Sequence, residues 1–373
     1  LAAQLYGEMK ALFPQNAVSE DISVLINPIA NFPSGGFVIF GQKTLLLDEF
    51  IRRLDIYNLA RLSLKHQSNQ TQEILKAYSN GINARVTEIN TKALGRGAPE
   101  MFLYPSEFAY WQPADSLAIF KLLALKMSGQ IDAELTYAKA LLAMDDQQLL
   151  SALLPDSPGK IITKIPYAEE VSSKNFSNSN SNRKLKALFR LPKLELAGAS
   201  NVFGATKERS AAGGALIAND PHFELSAPSL FYLARLQLDE DGAIGASVPG
   251  TPIILSGRNK KLAWGITASY LDDQDIFIEE LNLSNPNLYR TENGWAEFKT
   301  DEQYIKVKNS SDLKIKRKWT QNGPVLPQNT YSLSSITPKN HVASLSWTGL
   351  NETDTTITSA INLMLSQNVK KGL

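Results

Sequence analysis

Side chains that commonly carry out covalent chemistry are scarce in this chain. Its 373 residues include no cysteine and only three histidines, His66, His222 and His341, which lie far apart in the sequence. The lack of cysteine excludes thiol nucleophiles, disulfides, iron–sulfur clusters and cysteine-based zinc sites. Three scattered histidines also argue against a histidine-rich metal centre. Serine hydroxyls and clustered carboxylates are therefore the remaining candidates for chemistry.

Three carboxylates lie within four positions in the segment Asp272-Asp273-Gln274-Asp275. Carboxylates this close repel one another unless a cation or basic groups lie among them, and oxygen ligands suit a hard cation. The alternative interpretation is an exposed acidic turn, because most clusters of charge are simply solvated. The residues alone leave both interpretations open.

Serine–lysine pairs occur in three S-x-x-K tetrads, which begin at Ser157, Ser181 and Ser311. Enzymes that use such a pair also carry a K-T-G motif, and this chain has none. The G-x-S-x-G, Walker A, H-E-x-x-H and G-x-G-x-x-G motifs are absent as well. We interpret the tetrads as chance occurrences. A serine–lysine amidase remains an alternative that would be excluded if replacing the three lysines left activity intact.

The first half of the chain has the apolar spacing of helices. Apolar residues recur every three to five positions from about residue 45 to 89, which predicts two or three amphipathic helices. A further helix is predicted after Trp111, with Asp115 or Ser116 as its N-cap, and another from 133 to 144. These helices predict a layer that covers another part of the protein.

The second half changes to short strands after a polar linker. Residues 171–184 are a tract of Ser, Asn and Lys too polar to bury much apolar surface. Short β-type runs separated by Gly, Pro, Asn and Asp then extend from 215 to 348, and 355–365 is helical again. The order of helices, linker and strands predicts an α+β fold of stacked layers with an antiparallel sheet.

Composition excludes several classes of protein. Hydrophobic residues make up 43% and charged residues 20%, and the net charge is +1, so we expect a folded protein that does not bind nucleic acid. Uninterrupted apolar runs are far shorter than the ~20 residues of a membrane span, so none is expected. The chain begins at Leu1 without a basic segment before an apolar one, so any signal peptide is expected to be missing already.

Several short motifs follow one another along the chain. They are Ala77–Ala84 (Ala-Tyr-Ser-Asn-Gly-Ile-Asn-Ala), Gly198–Gly204 (Gly-Ala-Ser-Asn-Val-Phe-Gly), Ala218–Phe223 (Ala-Asn-Asp-Pro-His-Phe), Pro249–Pro252, Gly257–Asn259, Ala263–Ala268 (Ala-Trp-Gly-Ile-Thr-Ala) and Trp347–Leu350. In this order, from about Gly36 to Leu373, they resemble the penicillin acylase family of N-terminal nucleophile (Ntn) hydrolases. The resemblance implies a self-cleaving precursor and an αββα four-layer sandwich, incomplete here at both ends.

The resemblance also implies the catalytic residues. The precursor would cleave itself between Ala199 and Ser200, and the freed Ser200 would be the nucleophile. A free α-amine has a pKa near ~8, so an N-terminal serine carries its own general base. His222 matches a position whose backbone donates to the oxyanion and whose histidine can assist the amine, and Ala268 matches a second backbone donor. A further oxyanion Asn is expected beyond residue 373.

A calcium site is implied by the same resemblance. Its ligands would be the carboxylates of Asp272 and Asp275, the backbone carbonyl of Gln274, and Glu134 from the helical half.

An acyl-group pocket is implied as well. It would be lined by Phe223, Ser256, Ile266, Ala124 and Ser128. Their mixture of small and apolar types indicates a hydrophobic acyl group. Relatives with an aromatic-acid pocket often have a bulky aromatic residue at the position of Ser256, so the serine argues against penicillin G itself as the substrate. An N-acyl-homoserine lactone or another fatty or aryl amide fits equally well.

We therefore predict three parts: residues 1–170 form the α-chain portion, 171–199 a spacer removed on maturation, and 200–373 the N-terminal part of the β chain. The mature α and β chains would remain partners and hydrolyse an N-acyl amide, such as the side chain of a β-lactam antibiotic or an N-acyl-homoserine lactone. By resemblance the protein would be periplasmic or secreted. The alternative is an uncleaved, inactive relative that acts as a binding or structural domain, favoured by Phe203 where many relatives have Trp.

Overall fold

The computed structural model describes residues 37–91, 109–128, 130–143, 200–222, 230–238, 241–269, 271–307 and 310–372. Residues 37–44 are described by their backbone alone. The whole of the predicted spacer, 171–199 with the cleavage residue Ala199, lies outside the described residues, and so does the predicted pocket residue Phe223.

Within the ranges just given, five helices precede the strands. They are α1 (Phe37–Leu54), α2 (Ile56–Leu64), α3 (Asn69–Asn90), α4 (Pro113–Met127) and α5 (Gln130–Ala143), and two more, α6 (Thr356–Leu365) and α7 (Val369–Gly372), end the described chain. The helices predicted over 45–89, after Trp111, over 133–144 and over 355–365 are confirmed. Among the described residues, no helix is both long enough and apolar enough to cross a membrane.

The described part of the second half contains thirteen strands. They are β1 (Asn201–Ala205), β2 (Leu216–Asp220), β3 (Tyr232–Leu238), β4 (Asp241–Ser247), β5 (Ile254–Arg258), β6 (Ala263–Trp264), β7 (Gln274–Glu280), β8 (Leu288–Thr291), β9 (Gly294–Glu297), β10 (Lys299–Ile305), β11 (Leu313–Trp319), β12 (Val325–Leu326) and β13 (His341–Trp347).

Every strand pair in the described residues is antiparallel, as predicted. β3-β4-β5-β6 form a four-stranded sheet and β12-β13-β7 a three-stranded sheet, while β1-β2, β8-β9 and β10-β11 are two-stranded. The chain is therefore α+β. The four-layer αββα arrangement concerns the complete protein and stays a prediction.

The ends of the helices follow from local chemistry. Asp55 has a positive φ of 57° and separates α1 from α2, and the Ser68 hydroxyl caps α3 by accepting a hydrogen bond from Thr71 N at 3.1 Å. The prediction that Asp115 or Ser116 caps α4 is wrong. Gln112 is the N-cap and Pro113 begins the helix, while the Asp115 carboxylate reaches back to accept from Gln112 N at 2.6 Å.

The largest core lies between the helices and the β12-β13-β7 sheet. Phe50 of α1, Ile56 of α2, Leu122 of α4, Leu345 of β13 and Ile361 of α6 are each at most 2% exposed and belong to one apolar cluster. Burial of each such side chain contributes about 1.5–3 kcal/mol. Helices from both ends of the described chain therefore cover one face of this sheet.

Two buried basic side chains connect the helical first half of the chain to the second half. Lys121 of α4 donates to the Asp354 carboxylate at 2.8 Å and to Gly349 O at 2.9 Å. Arg317 of β11 donates to Arg52 O at 2.6 Å and to the Asp55 carboxylate at 2.7 Å. A buried charge is tolerated because it is paired and hydrogen-bonded in this way.

Candidate active site

The predicted nucleophile lies at the end of the β1-β2 hairpin. Ser200 is half-buried and directly precedes β1, whose first residue Asn201 pairs with Asp220 at the end of β2. His222 follows Asp220 by two residues. In an antiparallel pair the start of one strand faces the end of the other, so Ser200 and His222 emerge at the same end of the hairpin.

His222 has a carboxylate partner that the motif did not reveal. Its Nε2 lies 2.6 Å from Asp220 Oδ2, and the His222 side chain is about one-third exposed. A carboxylate on one imidazole nitrogen orients the ring and fixes which nitrogen faces other groups. Asp220 can therefore hold His222 with Nδ1 directed to a second partner.

Asn219 connects the hairpin to the segment that leads to Ala268. Its side-chain Nδ2 donates to Asn201 O at 2.9 Å and to Ile266 O at 3.0 Å, and its Oδ1 accepts from Ile266 N at 3.0 Å. Ala268 follows Ile266 by two residues. The structure thus attaches the segment with the predicted second oxyanion donor to the strand that begins after Ser200.

The segment Trp264-Gly265 is shaped for this contact. The Trp264 indole is buried and donates from Nε1 to Ile254 O at 2.9 Å, which holds β6 on β5. A Cβ atom at Gly265 would lie 2.9 Å from a methyl group of Val202 and 3.0 Å from Oδ1 of Asn219. Glycine at this position therefore lets the segment pass close over the β1-β2 hairpin.

Motifs of the helical half meet those of the strand half at Trp111. Asn83 of α3 accepts from Trp111 N at 2.6 Å and donates to Trp111 O at 2.9 Å. A Cβ atom at Gly250 would lie 3.1 Å from the Trp111 ring. Burial and then the neighbouring Tyr232 hydroxyl raise the pKa of Tyr78 to about 12, against the opposing effect of a hydrogen bond with the Gly250 backbone. The motifs Ala77–Ala84 and Pro249–Pro252, distant in sequence, are therefore both packed against Trp111.

The predicted calcium ligands come from α5 and the start of β7. Burial, followed by the charges of Asp275 and Asp272, raises the pKa of Glu134 to about 7. Burial and the charge of Asp272 also raise the pKa of Asp275. The three carboxylates are thus close enough to repel one another, and their oxygens are the donors that a hard cation prefers. In the described residues, however, no three His, Cys, Asp or Glu side chains are arranged to hold a metal ion.

Asp273, between these carboxylates, has a different role. Its side chain accepts from Ser128 Oγ at 3.1 Å and from Trp347 Nε1 at 3.1 Å, and its backbone carbonyl accepts from Thr348 N at 3.2 Å. The Trp347-Thr348 motif and the end of α4 are therefore joined through Asp273. The acidic run divides into one hydrogen-bonded structural carboxylate and the pair Asp272 and Asp275.

The predicted pocket residues occupy separate elements. Ala124 is exposed on α4, Ser128 follows the end of that helix, Ser256 lies on β5 and Ile266 follows β6. A cleft of about 1120 Å³ in the described residues lies elsewhere, between the α1-α2 junction and the β10-β11 hairpin, where Tyr57 and Trp319 line it. The four predicted pocket residues that the structure describes do not line this cleft, so the acyl-group role stays a prediction.

Sequence reasoning missed Asp220, Asn219 and Asp273 as site residues. The first two lie within the Asn219-Asp220-Pro221-His222 motif, which by itself is typical of a turn. A half-buried amide with backbone partners on two segments has no local signature, because one of its partners lies 47 positions away.

Comparisons with known proteins agree with this arrangement of motifs. The family model for penicillin amidase matches residues 38–372, which is most of the chain. The chain therefore belongs to the penicillin amidase family.

Relatives fall into two named groups. Acyl-homoserine lactone acylase QuiP of Pseudomonas aeruginosa is 27% identical over 295 residues, which are 77% of this chain and 34% of that protein. Penicillin acylase 2 proenzyme of Pseudomonas sp. (strain SE83) is 25% identical over 77% of this chain and 37% of its own length. Penicillin G acylase of Escherichia coli is 23% identical over 83% of this chain and 43% of its own length.

Among solved structures, thermostable penicillin G acylase from Alcaligenes faecalis matches 46% of this chain and 30% of its own chain, with a TM-score of 0.40 and 24% identity. The chain spans about a third to two-fifths of the length of the relatives named above.

Proposed function

We propose that the full-length protein is an amidohydrolase that cleaves the amide bond of an N-acyl compound through an N-terminal serine freed by self-cleavage. The observation that carries this proposal is the penicillin amidase family match over residues 38–372, with Ser200 directly before β1 inside it. The proposal includes an αββα core in the complete protein, a spacer within 171–199 that is removed, and mature α and β chains that remain associated.

In the proposed reaction Ser200 Oγ attacks the amide carbonyl carbon and its own α-amine takes the hydroxyl proton. The backbone N–H groups of His222 and Ala268 stabilise the negative charge that develops on the carbonyl oxygen. The proton then passes to the amide nitrogen as the C–N bond breaks, and the amine leaves. Water adds to the acyl-serine ester with the α-amine as base, and the carboxylic acid is released.

Self-cleavage uses the same nucleophile on the protein's own chain. Ser200 Oγ attacks the carbonyl carbon of Ala199, its hydroxyl proton passes to the Ser200 nitrogen as the C–N bond between the two residues breaks, and water hydrolyses the resulting ester. The new α-amine of Ser200 then becomes available as the general base. Placement of Ser200 at the beginning of a strand fits this sequence of events, since β1 holds the freed residue in place.

The substrate class follows from the relatives and from the predicted pocket residues. Relatives named acyl-homoserine lactone acylase and penicillin acylase both act on an amide that carries an acyl group. Ser256 and Ala124 are small, which suits an extended aliphatic chain at least as well as a single aromatic ring. We therefore include N-acyl-homoserine lactones and β-lactam side-chain amides as candidate substrates.

Calcium is proposed as a resident ion held by the carboxylates of Glu134, Asp272 and Asp275 and by the backbone carbonyl of Gln274. An ion there would remove the mutual repulsion of the three carboxylates and join α5 to β7. Export to the periplasm or the medium stays a prediction.

The proposal is tested on the full-length protein and its Ser200→Ala variant by intact mass and N-terminal sequencing. We expect two chains from the wild type, one of which begins Ser200-Asn201, and a single uncleaved chain from the variant. Hydrolysis of a panel of acyl amides should accompany cleavage and be absent from the variant. A wild type that remains one uncleaved chain would contradict the proposal and favour a binding or structural domain.

A further inference from the structure

We infer that Asn219 is a positioning residue that sets the distance between the Ser200 nucleophile and the oxyanion donor at Ala268. This inference rests on the proposed function, because it assigns to Asn219 the alignment of two groups that the proposal makes catalytic. Asn219 touches neither substrate nor reacting atoms in this scheme and acts through the backbone of two chain segments.

Three hydrogen bonds hold the Asn219 side chain between the backbones of two chain segments. On one side Nδ2 donates to the carbonyl oxygen of Asn201, the residue bonded to Ser200, at 2.9 Å. On the other side the same amide makes a paired contact with the backbone of Ile266, donating to O and accepting from N, each at 3.0 Å. A side-chain amide that pairs with a peptide group in this way replaces the ladder contact of a neighbouring strand.

β6 ends at Trp264, and in the part of the chain that the structure describes residues 265–268 belong to no strand. Asn219 lies on β2 opposite Val202 of β1, on the face that Gly265 covers. The paired contact with Ile266 therefore fixes the distance between residues 265–268 and the β1-β2 hairpin. Without it, the start of β1 and the segment that leads to Ala268 would lose the connection through the Asn219 side chain.

Close packing makes the connection rigid. A Cβ atom at Gly265 would lie 2.9 Å from a methyl group of Val202 and 3.0 Å from the Asn219 amide, closer than van der Waals contact allows without a shift. The segment consequently lies against the amide with no space between them. Because a misplacement of about 1 Å can reduce a catalytic rate by about 10²-fold, a fixed distance here has direct value for catalysis.

The test uses Asn219→Asp and Asn219→Ala in the full-length protein. The aspartate has nearly the same shape and still accepts from Ile266 N, but it has no donor for the carbonyls of Asn201 and Ile266. We expect both variants to self-cleave at least tenfold more slowly than the wild type. In the cleaved fraction, kcat should fall at least tenfold while KM for an acyl amide changes less than threefold.

Asn259 provides a matched control because its side-chain amide makes the same kinds of hydrogen bond with the backbone of other segments. Its Nδ2 donates to Met364 O and Ser366 O at 3.0 and 2.8 Å, and its Oδ1 accepts from Lys261 N and Leu262 N at 2.7 Å each. Asn259→Ala should lower the melting temperature while kcat of the folded, cleaved enzyme stays within twofold of the wild type.

Folding is measured separately by placing each substitution in the uncleavable Ser200→Ala precursor and recording its thermal unfolding. A drop in cleavage rate and kcat for the Asn219 variants, out of proportion to their loss of melting temperature and unlike Asn259→Ala, supports the inference. Cleavage and kcat within twofold of the wild type for Asn219→Asp would overturn it. It would also be overturned if the Asn219 and Asn259 variants lost kcat and melting temperature in parallel. A wild type that does not release a chain beginning at Ser200 would instead refute the proposed function itself.

Discussion

Asp115 combines a helix-capping contact with a buried carboxyl. It is fully buried, and burial raises its pKa to about 7 against the opposing effects of the Gln112 backbone N–H and the Tyr57 hydroxyl. The carboxyl is therefore protonated in the folded protein at pH values where an unfolded aspartate, with a pKa near ~4, is ionised. Between these two pKa values the folded state binds one more proton than the unfolded state.

Because of this extra proton, the free energy of unfolding depends on pH. Asp115→Asn should remove the part of that dependence that is due to Asp115. The contribution of Asp115 is fully present below about pH 4 and is lost as the pH rises through about 7, since a tenfold difference in proton affinity between the two states corresponds to ~1.4 kcal/mol. The variant with a neutral asparagine should not lose this stability as the pH rises over the same range. We expect the free energy of unfolding of the variant to rise relative to the wild type by a few kcal/mol between pH 4.5 and pH 8.

Urea unfolding of the two full-length proteins at both pH values measures this difference. Other buried carboxyls, such as Asp48, whose pKa is raised by burial to about 6, contribute equally to both proteins and cancel. A gap between variant and wild type that is the same at pH 4.5 and pH 8 would show that Asp115 does not bind the extra proton.

At the scale of elements, β4 and β5 pass unusually close to each other where two glycines are paired. Gly245 is the Cα partner of Gly257 in the antiparallel register. A Cβ atom at Gly257 would lie 2.2 Å from Ile244 O and 2.9 Å from the Gly245 Cα. Neither neighbour is the flexible end of a side chain, so an added methyl group must displace backbone. The Gly257-Arg258-Asn259 motif thus begins with a residue that sheet packing requires.

Gly257→Ala should therefore destabilise the protein by about 2–3 kcal/mol or more, because over-packing forces the strands apart. Gly81→Ala is the matched control. Gly81 is exposed in the middle of α3, and a Cβ atom there would meet nothing within 4 Å. Alanine at this position should stabilise the helix by about 0.5–1 kcal/mol. Chemical unfolding tests whether Gly257→Ala lowers and Gly81→Ala raises the free energy of unfolding. Equal effects of the two substitutions would contradict the packing argument.

At the scale of the whole molecule, helices from the first half are joined to strands from the second half at α5 and β7. Ile131 N donates to the side chain of Gln274 at 3.4 Å, and Gln274 is buried with no partner for its Nε2 among the described residues. Glu134 of the same helix faces the charges of Asp272 and Asp275. Repulsion at this junction weakens it unless a cation enters.

Calcium should therefore raise the melting temperature of the full-length protein by a few degrees at concentrations well above its Kd, because a ligand that binds only the folded state stabilises it. Glu134→Gln should reduce this response and weaken calcium binding in isothermal titration calorimetry. Glu73→Gln, at an exposed position of α3, is the control and should respond like the wild type. An unchanged melting temperature and no heat of binding would exclude calcium from this junction.

Local patterns were sufficient to predict the elements. The helices of the first half, the antiparallel strands of the second half and the helix at 356–365 were all predictable, because apolar spacing differs between helix and strand. The cap of α4 was placed wrongly, since Gln112 is an uncommon cap and Asp115 serves the third helical position. Motif order was sufficient to predict the family.

Contacts between distant segments were decided by the tertiary structure alone. The sequence by itself determined the types and order of the elements, the scarcity of catalytic side chains and the membership in a family. It did not determine that Asn219 binds Ile266, that Asp273 serves Ser128 and Trp347 while Asp272 and Asp275 stay with Glu134, or that Arg317 joins β11 to the α1-α2 junction. These contacts join residues 47 to 262 positions apart, and no local periodicity encodes them because packing of the whole chain sets which side chains meet.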